Sequence, residues 1–280
     1  MANPRRSALY MPGANERALE KARGLDADAL ILDLEDSVSP DAKAAARDLV
    51  CAAAGSYGKR EVTIRVNGLD TEWFADDVRA AVAAAPDAIV VPKVNSAADV
   101  HRILDAVPSD LPIWAMVESP LAMLHAYEIA SASPRVAVLV LGTNDLAKEL
   151  HAEHVPGRGP LLTSLSLALL GARAAGKAIL DGVYNDVKDL DGFAEECTQG
   201  RQYGFDGKTL IHPGQLEPCN RIFAPSEAEI AHAEKVIAAF EEAKAAGKGV
   251  ATVDGKMIEN LHVANAERVL SVAAAIAGRD

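Results

Sequence analysis

The chain has 280 residues, enough for one large domain or two small ones. Half of its residues are hydrophobic and the mean hydropathy is +0.06, which predicts a sizeable buried core. The net charge of −12 argues against non-specific binding of nucleic acid, which needs a basic face. It does not exclude a local cationic pocket for an anionic ligand.

The three cysteines, Cys51, Cys197 and Cys219, lie far apart and show no paired spacing typical of zinc or iron–sulfur sites. The absence of a disulfide framework predicts a reducing, cytoplasmic location. No apolar stretch typical of a signal peptide follows the N-terminus, and no uncharged apolar stretch reaches the roughly 18 residues of a membrane span. We therefore expect no membrane attachment.

Strand-like and helix-like stretches alternate along the chain. Strands are predicted at 7–11, 29–34, 61–67, 88–92, 112–118, 136–142, 178–184 and 207–212. Helices are predicted at 15–24, 41–54, 72–84, 96–106, 120–131, 164–175, 190–202 and 215–222. Eight such units favour an α/β fold, a parallel (β/α)₈ TIM barrel. A doubly wound open sheet is the alternative, but no GxGxxG follows any predicted strand.

The second predicted strand ends in carboxylates. Within Leu30–Asp36, apolar residues are followed by Asp33, Glu35 and Asp36. A buried strand rarely ends in three acids, because each unpaired buried charge costs several kcal/mol. A cation, basic groups or solvent must therefore hold these acids.

Other predicted strands also carry polar residues near their carboxyl ends. These residues are Arg65, Lys93, Glu118, Asn144 and Asp145. Charged residues at the same end of several barrel strands are typical of a catalytic rim.

The longest connection, 143–163, leaves the strand that ends near Asp145, and long connections in compact domains are often functional. We predict that it covers the site.

The C-terminal part has a different pattern. Ser226 and Glu229 form a capping box before a long helix, which is followed by the Gly-rich segment 247–260 and a last helix. We predict two parts: a catalytic barrel at 1–224 and an extension at 225–280, with a helix, a lid or subunit-contact segment and a final helix.

Together these segments resemble the citrate lyase β-subunit-like family, which includes malyl-CoA and citramalyl-CoA lyases and belongs to the HpcH/HpaI aldolase superfamily. The match covers about residues 6–275. The matching stretches are Arg6-Ser-Ala-Leu-Tyr-Met-Pro-Gly, Leu-Asp-Leu-Glu-Asp with Lys43 and Arg47 downstream, Ile-Arg65-Val-Asn-Gly, Val-Pro-Lys93, Ala-Met-Val-Glu118-Ser-Pro, Gly142-Thr-Asn-Asp145-Leu-Ala, Gly204-Phe-Asp-Gly-Lys-Thr-Leu-Ile-His212-Pro and Asp254-Gly-Lys-Met-Ile-Glu. The resemblance implies a TIM barrel, a Mg²⁺ site, CoA-thioester and 2-oxo-acid ligands, and a homotrimer.

Glu118 and Asp145 are the expected metal ligands. They follow successive predicted strands, so their side chains can converge on one ion. Two carboxylates with waters and substrate oxygens suit octahedral Mg²⁺. The alternative is a solvated or arginine-paired acid at each loop start, and the resemblance favours the metal.

Arg65 lies inside a predicted strand and must be paired. One interpretation is a structural salt bridge to Glu35 or Asp36. The resemblance instead places Arg65 on the substrate, where it stabilises charge on a carbonyl oxygen. Both can hold, with Glu35 and Asp36 orienting Arg65 or metal-bound water, so all three are predicted catalytic residues. Lys93 is expected to brace the acids rather than form a Schiff base.

The remaining predicted contacts concern the substrate. The resemblance places the nucleotide end of CoA near Tyr10 and Lys21, although Lys21 could also be a solvent-facing helix residue. Asn144 is expected to contact substrate beside Asp145. His212 is interpreted either as a hydrogen-bonded core histidine or as a substrate contact.

Glu259 stands where lyases of this family often have an aspartate, supplied across the trimer interface to protonate an acetyl-CoA enolate. Glutamate reaches one methylene further, so the role is either kept with altered geometry or lost. Asp254 is a nearby substitute, and an exposed acid before a helix is the structural alternative.

The sequence therefore predicts a Mg²⁺-dependent carbon–carbon lyase that converts malyl-CoA or citramalyl-CoA to an acyl-CoA and glyoxylate or pyruvate. One alternative is a citrate lyase β-subunit acting on an acyl-carrier-protein thioester. Another is a 2-oxo-acid aldolase without CoA, although residues 1–100 lack the histidine base that such enzymes usually need. The non-enzymatic alternative is a module that binds CoA or a 2-oxo acid.

Overall fold

The computed structural model describes residues 4–278. The chain divides into two compact units, a larger one at Arg5–Phe223 and a smaller one that contains the residues from Ala224 on. In the larger unit, eight parallel strands close into a barrel in sequence order. The predicted TIM barrel with a helical C-terminal extension is confirmed.

The barrel strands match the predicted positions to within a few residues at their ends. They are β1 Ser7–Pro12, β2 Ala29–Asp33, β3 Glu61–Arg65, β4 Ala88–Val91, β5 Ile113–Val117, β6 Val136–Leu141, β7 Ala178–Asp181 and β8 Gly207–Leu210. The helices of the larger unit are α1 Glu16–Ala22, α2 Lys43–Ala53, α3 Phe74–Ala84, α4 Ala97–Ala106, α5 Pro120–Leu124, α6 Ala126–Ser131, α7 Thr143–Glu149, α8 Leu162–Ala174, α9 Leu190–Tyr203 and α10 Leu216–Phe223.

Strand register sets which side chains meet at the carboxyl end of the barrel. Pro12 of β1 is paired with Asp33 of β2, and Asp33 is paired with Arg65 of β3. Parallel strands end at the same edge, so strand pairing itself brings the Asp33 carboxylate beside the Arg65 guanidinium.

The barrel interior is filled by a mixture of large and small apolar side chains. Trp114 of β5 is fully buried in a cluster with branched and long side chains such as Ile31, Met116 and Leu180 and with the small residues Ala8, Ala29 and Ala88 from other strands. Combining large and small residues in this way fills a barrel without voids. The result is a packed support beneath the carboxyl ends of the strands.

Two segments differ from the sequence prediction. The long connection 143–163 contains α7 and a 3₁₀ segment at Pro156–Leu161. The Gly-rich segment 247–260 contains an antiparallel hairpin of β9 Ala251–Val253 and β10 Lys256–Ile258. Its turn residues, Asp254 and Gly255, both have positive φ, the geometry of a two-residue hairpin turn.

The smaller unit is formed by α11 Glu227–Ala245, this hairpin and α12 Asn260–Ala277. Its core combines helix and hairpin residues, including Val236, Phe240, Val253 and Ile258. Within residues 4–278, no helix has the length and apolar character needed to cross a membrane.

Candidate active site

Arg65 is fixed in place by two carboxylates and an aromatic ring. Its Nε and Nη2 donate to Asp33 Oδ1 and Oδ2 at 2.6 and 2.8 Å, and Nη1 lies 2.8 Å from Glu35 Oε2. The guanidinium carbon is 4.7 Å from the centre of the Tyr10 ring. Burial alone would raise the pKa of Asp33, but the charge and hydrogen bonds of Arg65 lower it. The arginine is therefore held as an oriented, permanent cation.

Asp36 contributes less than the sequence suggests. Its side chain is largely exposed, and its Oδ2 lies 3.8 Å from Arg65 Nη1. Asp33 instead forms the bidentate pair, although the sequence analysis had not assigned it to the site.

Glu118 is a buried carboxylate directly after β5. The backbone N–H of Lys93 donates to its Oε1 at 2.7 Å. Close packing at Gly142 completes the enclosure, since a Cβ there would collide with Glu118 Oε2. Burial first, and then the charges of Glu35 and Asp145, raise the pKa of Glu118 to about 7. We call Asp33, Glu35, Glu118 and Asp145 the acidic rim.

The chemistry of Glu118 and Asp145 fits a divalent cation. Asp145 lies in the first turn of α7, and its charge acts on Glu118. A cation between them would relieve this repulsion and favour both ionised forms. Residues 4–278 contain no group of three or more His, Cys, Asp or Glu that could hold a metal. Water or substrate oxygens would therefore complete the coordination, as is usual for Mg²⁺.

The loop after β2 is fixed by a buried lysine. Lys43 Nζ donates to the carbonyl oxygens of Leu34 and Glu35 at 2.8 and 2.7 Å. Asn67 Nδ2 also donates to the Leu34 carbonyl, at 3.0 Å. These bonds fix the main chain that presents the Glu35 carboxylate to Arg65.

Three other predicted substrate contacts are exposed. Lys21 lies on α1, and Asn144 exchanges two side-chain hydrogen bonds with Asn185. His212 Nδ1 accepts from the N–H of Gly214. Because His212 is exposed, the interpretation of a buried core histidine is wrong. Substrate contact by these residues stays a prediction.

Glu259 and Asp254 lie in the smaller unit. The N–H of Glu259 donates to His262 Nδ1 at 3.1 Å, just before α12. Asp254 forms the hairpin turn, with its Oδ2 3.5 Å from His232 Nδ1. The acid–base role predicted for Glu259 stays a prediction.

A cavity of about 700 Å³ lies in the larger unit. Asn185, one of its lining residues, is the hydrogen-bond partner of Asn144. Arg65, Glu118 and Asp145 are not part of its lining. Four carboxylates line it, namely Asp186, Asp189, Glu195 and Glu196.

Residues 6–213 match the family described as HpcH/HpaI aldolase/citrate lyase. The chain belongs to this family. Residues 163–277 also match a family described as a C–C bond lyase of the TIM-barrel fold.

Relatives within the HpcH/HpaI family align along nearly the whole chain. A (3S)-malyl-CoA thioesterase of Cereibacter sphaeroides is 56% identical over 278 residues, covering 99% of this chain and 97% of the relative. The citrate lyase subunit beta of Leuconostoc mesenteroides is 38% identical, covering 96% and 93%. The HpcH/HpaI family is therefore represented here by enzymes of more than one reaction type.

A solved structure shows the same fold in the family. The protein CitE from Mycobacterium tuberculosis, in complex with magnesium, acetoacetate and coenzyme A, has 30% identity and a TM-score of 0.79. The match covers 96% of this chain and 97% of that one.

The sequence did not predict that Asp33 and the Lys93 backbone belong to this candidate site. Strand alternation was a usable signal for Asp33, because residues 31, 33 and 35 share a face while the chain stays extended. The hydrogen bond from the Lys93 backbone N–H to Glu118 depends on the positive φ of Lys93, which no sequence pattern indicated.

Proposed function

We propose that this chain hydrolyses the CoA thioester of a short hydroxy dicarboxylic acid, with (3S)-malyl-CoA as the leading substrate. The observation that carries this proposal is the 56% identity, along 99% of the chain, with a (3S)-malyl-CoA thioesterase. Hydrolysis adds water to the thioester carbonyl carbon, breaks the carbon–sulfur bond, and releases the free acid and the CoA thiol.

In this proposal Glu118 and Asp145 hold Mg²⁺, in keeping with the magnesium in the CitE complex. Held there, the cation would supply positive charge that attracts the distal carboxylate of the substrate and so orients the thioester end toward Arg65. The buried position of Glu118 keeps water away from its carboxylate, which strengthens its interaction with a cation.

Arg65 stabilises negative charge on the thioester oxygen. Asp33 and Tyr10 fix the guanidinium before the substrate arrives, so little reorganisation is needed when charge develops. Both oxygens of Glu35 lie near cations, which makes Glu35 a holder of charged groups rather than a free base.

The second candidate is the carbon–carbon cleavage predicted from the sequence, which gives acetyl-CoA and glyoxylate from malyl-CoA. The 38% identity with a citrate lyase subunit beta favours this cleavage. With that relative in view, an acyl-carrier-protein thioester is an alternative substrate to the CoA thioester. An oriented arginine stabilises an enolate oxygen as well as the oxyanion of hydrolysis. Hydrolysis forms no enolate that must be protonated, so it does not require Glu259 to keep the role of the aspartate that the resemblance implies.

The test uses malyl-CoA and citramalyl-CoA with Mg²⁺ in ¹⁸O-labelled water, followed by mass spectrometry. We expect free CoA and an acid that carries one ¹⁸O in the released carboxylate. Acetyl-CoA with glyoxylate or pyruvate would instead establish the lyase. If CoA thioesters bind but neither set of products forms, the non-enzymatic binding module would be the remaining hypothesis.

A further inference from the structure

Lys93 follows β4 with its backbone in the left-handed region, at φ 58°. A residue with a Cβ adopts this conformation at a cost in free energy, and glycine is the usual occupant. Here the turn aims the Lys93 N–H at the buried carboxylate of Glu118. A glycine could supply the same N–H, so the lysine side chain requires its own explanation.

The backbone N–H of Lys93 contacts Glu118, whereas its side chain extends to Glu35. Its Nζ donates to Glu35 Oε1 at 3.0 Å, while Glu35 Oε2 lies 2.8 Å from Arg65 Nη1. Glu35 therefore separates two cations, one on each oxygen. An ammonium group has three donors, and this contact uses one of them.

Exposure distinguishes Lys93 from the other cations at this end of the barrel. Arg65 is buried with its Nε and Nη2 on Asp33, and Lys43 is buried with its Nζ on backbone carbonyls. The Lys93 side chain is 54% exposed although it is anchored to a buried acid. It presents an oriented ammonium to a ligand that enters the rim.

We propose that Lys93 is a catalytic residue that donates a hydrogen bond from Nζ to the thioester carbonyl oxygen, and that Glu35 positions it beside Arg65. This inference rests on the proposed function. As water adds to the carbonyl carbon, the π electrons move to the oxygen, where Lys93 and Arg65 stabilise the charge. The electrons return when the carbon–sulfur bond breaks. The attacking water loses its proton to solvent water, the departing CoA thiolate takes a proton from solvent water, and Lys93 keeps its proton throughout.

The Glu35 contact also explains why a lysine, rather than a second arginine, fits this position. The ammonium is a compact charge whose donors can serve Glu35 and a substrate oxygen in different directions. A planar guanidinium would direct its donors into one plane.

The test distinguishes the contribution of the Lys93 backbone N–H from that of its side-chain ammonium. Lys93→Gly keeps the N–H on Glu118 and relieves the positive φ, but removes the charge, and Lys93→Met removes the charge while keeping an unbranched chain. We expect kcat for malyl-CoA to fall on the order of 100-fold in both, with a smaller change in KM. Lys93→Arg should retain more activity than either. Mn²⁺ affinity in Lys93→Gly, measured by magnetic resonance, should match the wild type.

Ala85→Gly is the matched control, because Ala85 also has a positive φ, of 49°, at the end of α3. It should leave kcat unchanged. Three results would overturn the inference about Lys93 and leave the proposed function standing. They are wild-type turnover in Lys93→Gly, an equal loss of kcat in all three Lys93 variants, and a loss of Mn²⁺ affinity in Lys93→Gly that parallels its loss of kcat. A wild-type enzyme that turns over no thioester would instead overturn the proposed function, and this inference with it.

Discussion

At the scale of single residues, the site is governed by how Arg65 is held. A bidentate pair with Asp33 and a third contact with Glu35 fix the guanidinium plane. These contacts depend on the planar fork of arginine, which lysine lacks although it has the same charge.

Replacing this arginine by lysine tests that geometry. We expect Arg65→Lys to lower kcat/KM for malyl-CoA by about 100-fold, because one ammonium cannot satisfy Asp33 and Glu35 and still stabilise the substrate oxygen. Arg102→Lys is the control, since Arg102 forms an exposed pair with Asp70. Steady-state kinetics showing a change of less than about threefold in Arg65→Lys would remove Arg65 from the mechanism.

At the residue level, the sequence predicted where charged side chains lie but does not establish what they do. Arg65, Glu118 and Asp145 lie at or just beyond the carboxyl ends of β3, β5 and β6, where the pattern of apolar runs followed by charge placed them. Their roles in metal and substrate binding stay predictions. The bond from the Lys93 backbone to Glu118 was not predictable, because it depends on a dihedral angle rather than on side-chain type.

At the scale of elements, a buried ionic network joins β7, β8, α9 and the 3₁₀ segment after α7. Arg158 Nη1 donates to both oxygens of Asp181 at 2.7 and 2.8 Å. Lys208 Nζ donates to Asp181 Oδ2 at 3.1 Å and to Glu196 Oε1 at 2.7 Å. The positive charges of Arg158 and Lys208 thus compensate the negative charges of Asp181 and Glu196.

Removing one charge from this network should destabilise the barrel in a pH-dependent way. Burial alone would raise the pKa of Asp181, but the charges of Lys208 and Arg158 lower it. Its ionised form therefore adds stability above the ordinary aspartate pKa of about 3.9, and this stability is lost as the pH falls through the lower folded value. We expect Asp181→Asn to cost about 3–5 kcal/mol at neutral pH.

Urea unfolding of wild type and Asp181→Asn at pH 7, and at successively lower pH, checks this expectation. The difference in unfolding free energy should narrow once the pH falls below about 4, because the Asp181 carboxylate then becomes protonated in the unfolded chain while the folded chain keeps it ionised. Asp105→Asn, a change at an exposed acid on α4, should stay within about 0.5 kcal/mol of wild type. A constant difference at every pH would show that Asp181 does not act through its charge.

Two elements escaped prediction for different reasons. In α7, only Thr143, Leu146 and Ala147 are buried, so seven residues give too short a pattern for a helical period. The hairpin β9–β10 did carry a signal, because Asp254-Gly255 is a strong two-residue turn. The Gly-rich composition of 247–260 instead favoured a lid or subunit-contact segment.

At the scale of the molecule, the barrel was predictable because eight apolar runs alternate with helical stretches. Closure in sequence order then brings the strand ends to one rim, which explains why site residues scattered from Asp33 to Asp145 converge. The homotrimer, the lid and the cytoplasmic location stay predictions, since they concern partners and surroundings rather than the folding of one chain.

The central claim is that Glu118 and Asp145 hold one divalent cation. Mn²⁺ titration followed by magnetic resonance tests it directly, with Mg²⁺ as competitor and Glu195→Gln, an exposed acid on α9, as control. We expect a single Mn²⁺ per chain, displaced by Mg²⁺. Affinity should fall about 100-fold or more in Glu118→Gln and in Asp145→Asn, since losing even a supporting hydrogen bond at a metal site costs about 10–100-fold. Wild-type affinity in both variants would contradict the account.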